Sequence, residues 1–320
     1  MLVFDSHCDT PSELLRGRDI SIDNPGVQVD LPKLRAGGIG GSFFALYTPQ
    51  TLSRDEALRK ALEMLAAIHD ALDKSPDYAA LAVSPEDVLR ISSSGRTAVC
   101  IGMENGNPIG ESLSILRLFS RLGVNYLTLT HNGDNAIADS ASEASTWGGL
   151  SPFGREVVRE MNRLGMMIDL SHASDKTFWE CMERSQAPIV ATHSCCRSLC
   201  SHRRNLTDRM LRALGEKGGY VGINFYPYFL SDGAADRNPG VEDIVDHIDR
   251  AVSLAGIDHV GIGSDFDGIE VTPSGMEDIS RMGVLFDAMT RRGYSREEIS
   301  KIAGLNLLSV WKRIRETKVL

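Results

Sequence analysis

The sequence predicts a closed α/β barrel of eight parallel strands, and three observations carry that prediction. Apolar strand-like runs alternate with amphipathic helical stretches along the whole chain, there are eight such runs, and six of them end in a histidine, an aspartate or a glutamate. The alternation argues for a parallel sheet covered by helices. Periodicity alone does not separate a closed barrel from an open, doubly wound sheet. The polar residues do, because barrel enzymes carry their reactive groups at the carboxyl ends of the strands. A length of 320 residues suits one such (β/α)8 TIM-barrel domain, residues 1–320, with insertions.

In chain order, the strand candidates are Leu2–Asp9, Gly41–Tyr47, Thr97–Glu104, Val124–His131, Met166–His172, Pro188–His193, Tyr220–Tyr226 and His259–Asp265. Between and after them, apolar residues at helical spacing predict helices over Asp55–Leu72, Leu113–Leu122, Pro152–Leu164, Asp175–Arg184, Asp208–Lys217, Val241–Ala255 and Ser295–Arg315. Ser151-Pro152 reads as an N-cap followed by a first-turn proline. Gly165 and Gly256 stand where glycines close helices before the next strand.

Composition removes several function classes. Hydrophobic residues make up 42% and charged residues 24%, an ordinary globular balance. The formal charge of −9, with no basic block beyond His202-Arg203-Arg204, lacks the footprint of a nucleic-acid binder, so small molecules are the expected partners. No apolar stretch approaches the roughly 18 residues of a membrane span, and the first residues carry no secretory signature, which predicts a cytoplasmic protein without a membrane partner. The six cysteines lack paired zinc spacing and read as reduced, buried thiols.

The chemistry is expected at the strand ends. In His7-Cys8-Asp9 the two-residue period of a strand puts His7 and Asp9 on one face and Cys8 on the other. Glu104 ends a hydrophobic strand, where a buried carboxylate needs a metal, a cation or a proton. His172 and His193 close two successive strands. Imidazoles and carboxylates in this number suit two divalent ions about 3.5–4 Å apart. The expected division is His7 and Asp9 on one ion, His172 and His193 on the other, and Glu104 on both. Asp265 would face the reacting water and carry its proton. Asp267 reads as a turn residue, and His69, His202, His247 and His259 as residues outside the centre.

With these residues in hand, the sequence resembles the membrane dipeptidase (renal dipeptidase) family, the M19 metallopeptidases of the amidohydrolase-like barrels. The likeness runs through Asp5-Ser-His-Cys-Asp-Thr-Pro11, Asp30-Leu-Pro-Lys-Leu-Arg-Ala-Gly-Gly38, Leu127-Thr-Leu-Thr-His-Asn132, Gly149-Leu-Ser-Pro-Phe-Gly154, Leu164-Gly-Met-Met-Ile-Asp-Leu-Ser-His172, His193-Ser194, Arg203-Arg-Asn205, Asn224-Phe-Tyr226 and Asp258-His-Val-Gly-Ile-Gly-Ser-Asp-Phe-Asp-Gly268. The resemblance implies a binuclear zinc dipeptidase whose ligands are the five residues above, working through a hydroxide held between the ions. It also implies that His131 approaches the substrate carbonyl or oxyanion, that Arg204 pairs with the dipeptide's terminal carboxylate, and that Asp265 handles the proton. Substrates with a D-residue at the carboxyl-terminal position and a homodimeric assembly both fall within what the family permits. The segment Pro227-Tyr-Phe-Leu-Ser231 differs from the animal enzymes, so side-chain preference does not carry over. Two alternatives are another amidohydrolase acting on a small amide or lactam, and a catalytically inert barrel. The first commonly bridges its metals with a carboxylated lysine on the fourth strand, and Val124–His131 has no lysine.

Overall fold

In the computed structural model, which describes residues 1–318, the strands are β1 (Val3–Cys8), β2 (Ile39–Tyr47), β3 (Ala79–Leu81), β4 (Thr97–Glu104), β5 (Val124–Thr128), β6 (Met167–Asp169), β7 (Val190–Ala191), β8 (Tyr220–Ile223) and β9 (Val260–Ile262). All pair in parallel. β1 is bonded to β2 on one edge and to β9 on the other, and β2 is bonded to β4, so eight strands close into a ring as the sequence predicts. The unexpected strand is β3. It pairs with Thr97–Val99 of β4, below the stretch Ile101–Glu104 that β5 occupies, and so lies outside the ring. Its three residues are too few to show a period.

The barrel interior is filled by large side chains set against glycines. Tyr126 of β5 lies across Gly102 of β4 so closely that a Cβ on Gly102 would stand 2.0 Å from the tyrosine Cζ. Tyr220 faces Gly261 in the same way, with 2.3 Å from the virtual Cβ to its hydroxyl. Below them Phe43 meets Phe4, Tyr126 and Trp311 at ring-centroid distances of 5.4, 5.0 and 5.3 Å. Trp311 comes from the last helix, which seals the barrel floor with Leu307, Val310 and Ile314. Each such fully buried side chain contributes about 1.5–3 kcal/mol.

The helices Pro152–Leu164, Asp175–Arg184 and Val241–Ala255 have the predicted bounds. Ser151 caps its helix by accepting from Gly154 N, and Gly165 and Gly256 both have positive φ. Several helices carried too little periodic signal to be expected: Thr10–Leu15, Leu31–Ala36, Pro85–Ser93, Pro227–Leu230 and Met282–Arg292. The terminal stretch Ser295–Arg315, expected as one helix, is three pieces: Arg296–Ser300, a wide turn Lys301–Leu305, and Asn306–Glu316. The break lets Gly304 press against β1, 3.1 Å from Phe4 N as measured from its virtual Cβ, while Asn306 Nδ2 donates to Ile257 O and Val260 O at 2.7 and 2.8 Å.

A second correction concerns the site. β5, β6, β7 and β9 stop at Thr128, Asp169, Ala191 and Ile262, so His131, His172, His193 and Asp265 stand in the loops just beyond them. His172 and Asp265 have φ of 66° and 64°, a left-handed conformation that turns the chain out of the sheet.

Replacing Gly102 by Ala must push Tyr126 aside, and the expected loss is about 1–3 kcal/mol of stability, the usual cost of overpacking, measured by urea unfolding.

Candidate active site

Of the expected ligands, His7 lies within β1, Glu104 is the last residue of β4, and Asp9 follows β1 directly. The register of β1 shifts between Asp5 and Cys8. This irregularity lets Ser6 donate to Thr192 O and Ile262 O, at 2.5 and 2.7 Å, while its neighbour His7 also reaches the mouth. Cys8 turns outward to Ser42 and Phe43 O, as the two-residue period predicts. Asp9 occupies the N-cap position of the helix Thr10–Leu15, where an aspartate ordinarily accepts from the helix amides. Here it caps nothing. Its Oδ1 is buried without a hydrogen-bond partner among the described residues, and Oδ2 lies 3.6 Å from His7 Nε2. Only glycine fits beside it: a Cβ on Gly268 would stand 2.2 Å from Asp9 Oδ2.

Glu104, 2% exposed, divides its two oxygens between two groups of imidazoles. Oε2 is 3.7 Å from His7 Nε2, and Oε1 is 3.0 Å from His172 Nε2 and 3.4 Å from His193 Nε2. Asp265 Oδ1 completes the near side at 3.9 Å from His7 Nε2. His131 packs on His172 at a centroid distance of 4.2 Å, with its Nδ1 unpartnered among the described residues. The donor atoms fall into three overlapping groups: His7, Glu104 and His193; Glu104, His131 and His172; His7, Asp9 and Asp265.

Each histidine is held from behind. Thr192 Oγ1 donates to Asp169 Oδ2 at 2.7 Å and therefore accepts from His193 Nδ1, 2.9 Å away. His172 Nδ1 donates to Asn132 Oδ1 at 2.9 Å. His7 Nδ1 lies 2.8 Å from the Tyr126 hydroxyl. With both Nδ1 atoms protonated, His172 and His193 present bare Nε2 lone pairs to one another at 3.0 Å. Two lone pairs at that distance repel unless a cation lies against them. Ligands on one tetrahedral ion, each about 2.1 Å from it, stand roughly 3.4 Å apart, so the 3.0 Å between the two Nε2 atoms is close to, and slightly shorter than, what one shared ion requires. The donor set fits divalent metal ions.

The electrostatics point the same way. Burial opposes ionisation of Glu104, but the imidazoles gathered round it, His7 foremost, outweigh it and hold the carboxyl well below its usual range. Burial, then the charge of His7, pushes His193 down to about 3, and burial with Arg204 and His131 keeps His172 well below its usual value. Both imidazoles are thus neutral. Burial, reinforced by Asp9 and Glu104, lifts Asp265 to about 7 against the pull of His7 and of Asn224, which donates to its Oδ2 at 2.8 Å.

Arg204, 7% exposed, lies behind His193 with Nη2 donating to that residue's carbonyl at 3.3 Å, its guanidinium 5.3 Å over Phe229 and its Nε without a partner among the described residues. Asp267 is a left-handed turn residue that accepts from Gln28 N and Thr10 Oγ1 at 2.5 and 2.8 Å. His247 bridges Cys196 N and Leu230 O, His259 meets Gly219 O, His202 packs on Phe229, and His69 is exposed, so these four lie outside the cluster.

Sequence reasoning missed Asp169. Fully buried, it accepts from Thr128 Oγ1, from Thr192 N and Oγ1, and from Ser171 N and Oγ. Ser171 Oγ in turn accepts from His193 N at 3.0 Å. The available signal was an aspartate inside the apolar run Met166–Leu170. Because outer partners of metal-binding histidines typically change affinity by 10–100-fold, Asp169→Asn is expected to weaken metal binding by about that factor, measured by competition with a chelator.

Comparison with known proteins agrees with this geometry. Residues 1–319 match the model of the membrane dipeptidase family, peptidase family M19. The chain is 35% identical to dipeptidase verJ of Clonostachys rogersoniana over 99% of this chain and 85% of that protein, and 36% identical to dipeptidase tcpJ of Claviceps purpurea over 90% and 69%. A crystal structure of a metallo peptidase from Rhodobacter sphaeroides, liganded with a phosphinate mimic of the dipeptide L-Ala-D-Ala, superposes with a TM-score of 0.93 at 30% identity, covering 98% of this chain and 99% of that one. A sequence match over nearly every residue, joined to the same barrel, leaves one assignment: the chain belongs to the membrane dipeptidase family and is a metallo-dipeptidase.

Proposed function

We propose that the chain hydrolyses dipeptides at a centre of two divalent ions, zinc by preference, with His7 and Asp9 on one, His172 and His193 on the other, and Glu104 shared. The observation that carries this reading is the division of the Glu104 oxygens between His7 on one side and His172 and His193 on the other. Zinc suits three imidazoles and two carboxylates, although cobalt and manganese accept the same donors. When bound, the ions supply Lewis acidity to the scissile carbonyl and lower the pKa of water.

The chain's own residues do the rest. Asp265, with Oδ1 3.9 Å from His7 Nε2 and Oδ2 held by Asn224, is placed to accept a proton from the attacking water and to return it to the departing amine. His131 has a ring nitrogen without a partner among the described residues and stands beside His172, where it can stabilise the oxyanion. Arg204 offers its guanidinium to the terminal carboxylate and so measures substrate length, since a longer peptide has no carboxylate there. The L-Ala-D-Ala mimic carried by the Rhodobacter sphaeroides relative supports tolerance of a D-residue at the carboxyl-terminal position. Six free, buried cysteines fit a reducing compartment, and none of the described helices is long and apolar enough to cross a membrane, which together support the cytoplasm.

Removal of metal by a chelator is expected to abolish turnover of L-Ala-L-Ala and L-Ala-D-Ala, and zinc is expected to restore it with two ions bound per chain by elemental analysis. Full activity with one ion overturns the binuclear reading. Arg204→Met is expected to raise KM for dipeptides roughly thirtyfold or more, as loss of one partner of a buried charge pair does, and to do so more than it lowers kcat. An unchanged KM removes Arg204 from carboxylate binding.

A further inference from the structure

The cleft over the centre encloses about 590 Å³, and one of its walls is used by no step described so far. That wall is formed by Ser12, Leu15 and Arg16 on and after the helix Thr10–Leu15, by Tyr47 at the end of β2, and by Lys60 from the helix Arg54–Lys74. Lys60 is half-buried, with its ammonium 5.2 Å from the Tyr47 ring centroid, and it makes no hydrogen bond or ion pair with any described residue. Arg16, by contrast, is tied to Glu13. The Ser12 hydroxyl on the same wall is buried and also unpartnered among the described residues. Burial and the neighbouring charge of Arg16 weaken the hold of Lys60 on its proton, while Asp9 counters them, which sets the ammonium within electrostatic reach of the ligand group. The cleft's other acidic groups outside the centre, Asp267 and Glu270, come from the loop after β9; Asp267 is taken up by Gln28 and Thr10, and Glu270 is exposed.

A half-desolvated ammonium with no counter-ion is unfavourable, and it gains from an anion delivered by the substrate. Which part of the substrate arrives there follows from Arg204, and so rests on the role proposed for it above. Arg204 lies behind His193. With the terminal carboxylate on that side, the first residue of the dipeptide falls toward Asp9, against the wall that holds Lys60. We propose that Lys60, with Ser12 on the same wall, is a specificity-determining cation that selects dipeptides whose first residue carries a side-chain carboxylate.

The test is steady-state kinetics of the zinc-loaded protein on L-Glu-L-Ala, L-Gln-L-Ala, L-Lys-L-Ala and L-Ala-L-Ala. The expected result is a kcat/KM for L-Glu-L-Ala roughly tenfold above that for its uncharged isostere L-Gln-L-Ala, the scale of one hydrogen bond between charged groups, expressed in KM. Lys60→Met is expected to bring that ratio close to one and Lys60→Arg to keep it; should Lys60→Met fail to fold, Lys60→Gln gives the same reading. A wild-type ratio near one, or a ratio that survives loss of the lysine charge, overturns the proposal while turnover of L-Ala-L-Ala leaves the dipeptidase reading standing. Turnover of none of the four overturns both.

Discussion

Imidazole lone pairs and carboxylate oxygens converge within a few ångströms at the floor of the cleft, and that convergence constrains everything built around it. Without a cation, His172 and His193 would face one another at 3.0 Å as two neutral acceptors, with the Glu104 carboxylate between them and His7. Such a cluster is held together only by groups that fix it from outside. Asp169 orients His193 through Thr192, Asn132 fixes His172, Tyr126 meets His7, and Asp5 ties β1 to Ser264 at the start of the loop that carries Asp265. The barrel is thus rigid in the places where its polar atoms are least satisfied by one another.

The same constraint accounts for the shape of the strand ends. Among the described residues, four other than glycine have left-handed backbone, and all four lie at this rim: Asn105, His172, Asp265 and Asp267. Such conformations cost of order 1–3 kcal/mol each and persist where the surroundings over-determine them. Here Thr130 Oγ1 and Ala141 N hold the carbonyl of His172, Asn105 Nδ2 donates to Thr48 O, and Gln28 clasps Asp267 through both its backbone amide and its side chain. The rim bends so that side chains from separate strands can meet at one point.

Much of this was legible in the sequence, and the parts that were not have physical reasons. The eight barrel strands were visible because their apolar runs are long enough to show a pattern, and the five candidate ligands because a charged or imidazole residue at the end of an apolar strand is conspicuous. The early ends of β6 and β9 were hidden, since Met166–His172 and His259–Asp265 read as unbroken strands while the turn lies in backbone dihedrals that no side-chain period records. β3 and the helix Thr10–Leu15 were too short. Asp169 and Thr192 were overlooked for another reason: their importance lies in what they touch across the barrel, and a linear pattern is silent about that.

Ring closure has a consequence for how the chain is assembled during synthesis. β1 finds β2 within the first 47 residues, but its second edge waits for β9, with Asp5 opposite Ile262, and the floor beneath Phe4 and Phe43 waits longer still, for Trp311. Until those segments are made, β1 therefore presents an open hydrogen-bonding edge above an uncovered apolar surface, a combination that invites pairing with other chains. Contacts between residues so far apart in sequence also close slowly. The carboxyl-terminal helix is in this sense the latch of the fold, and a ribosome that stalls before it emerges leaves behind a sheet with an exposed edge.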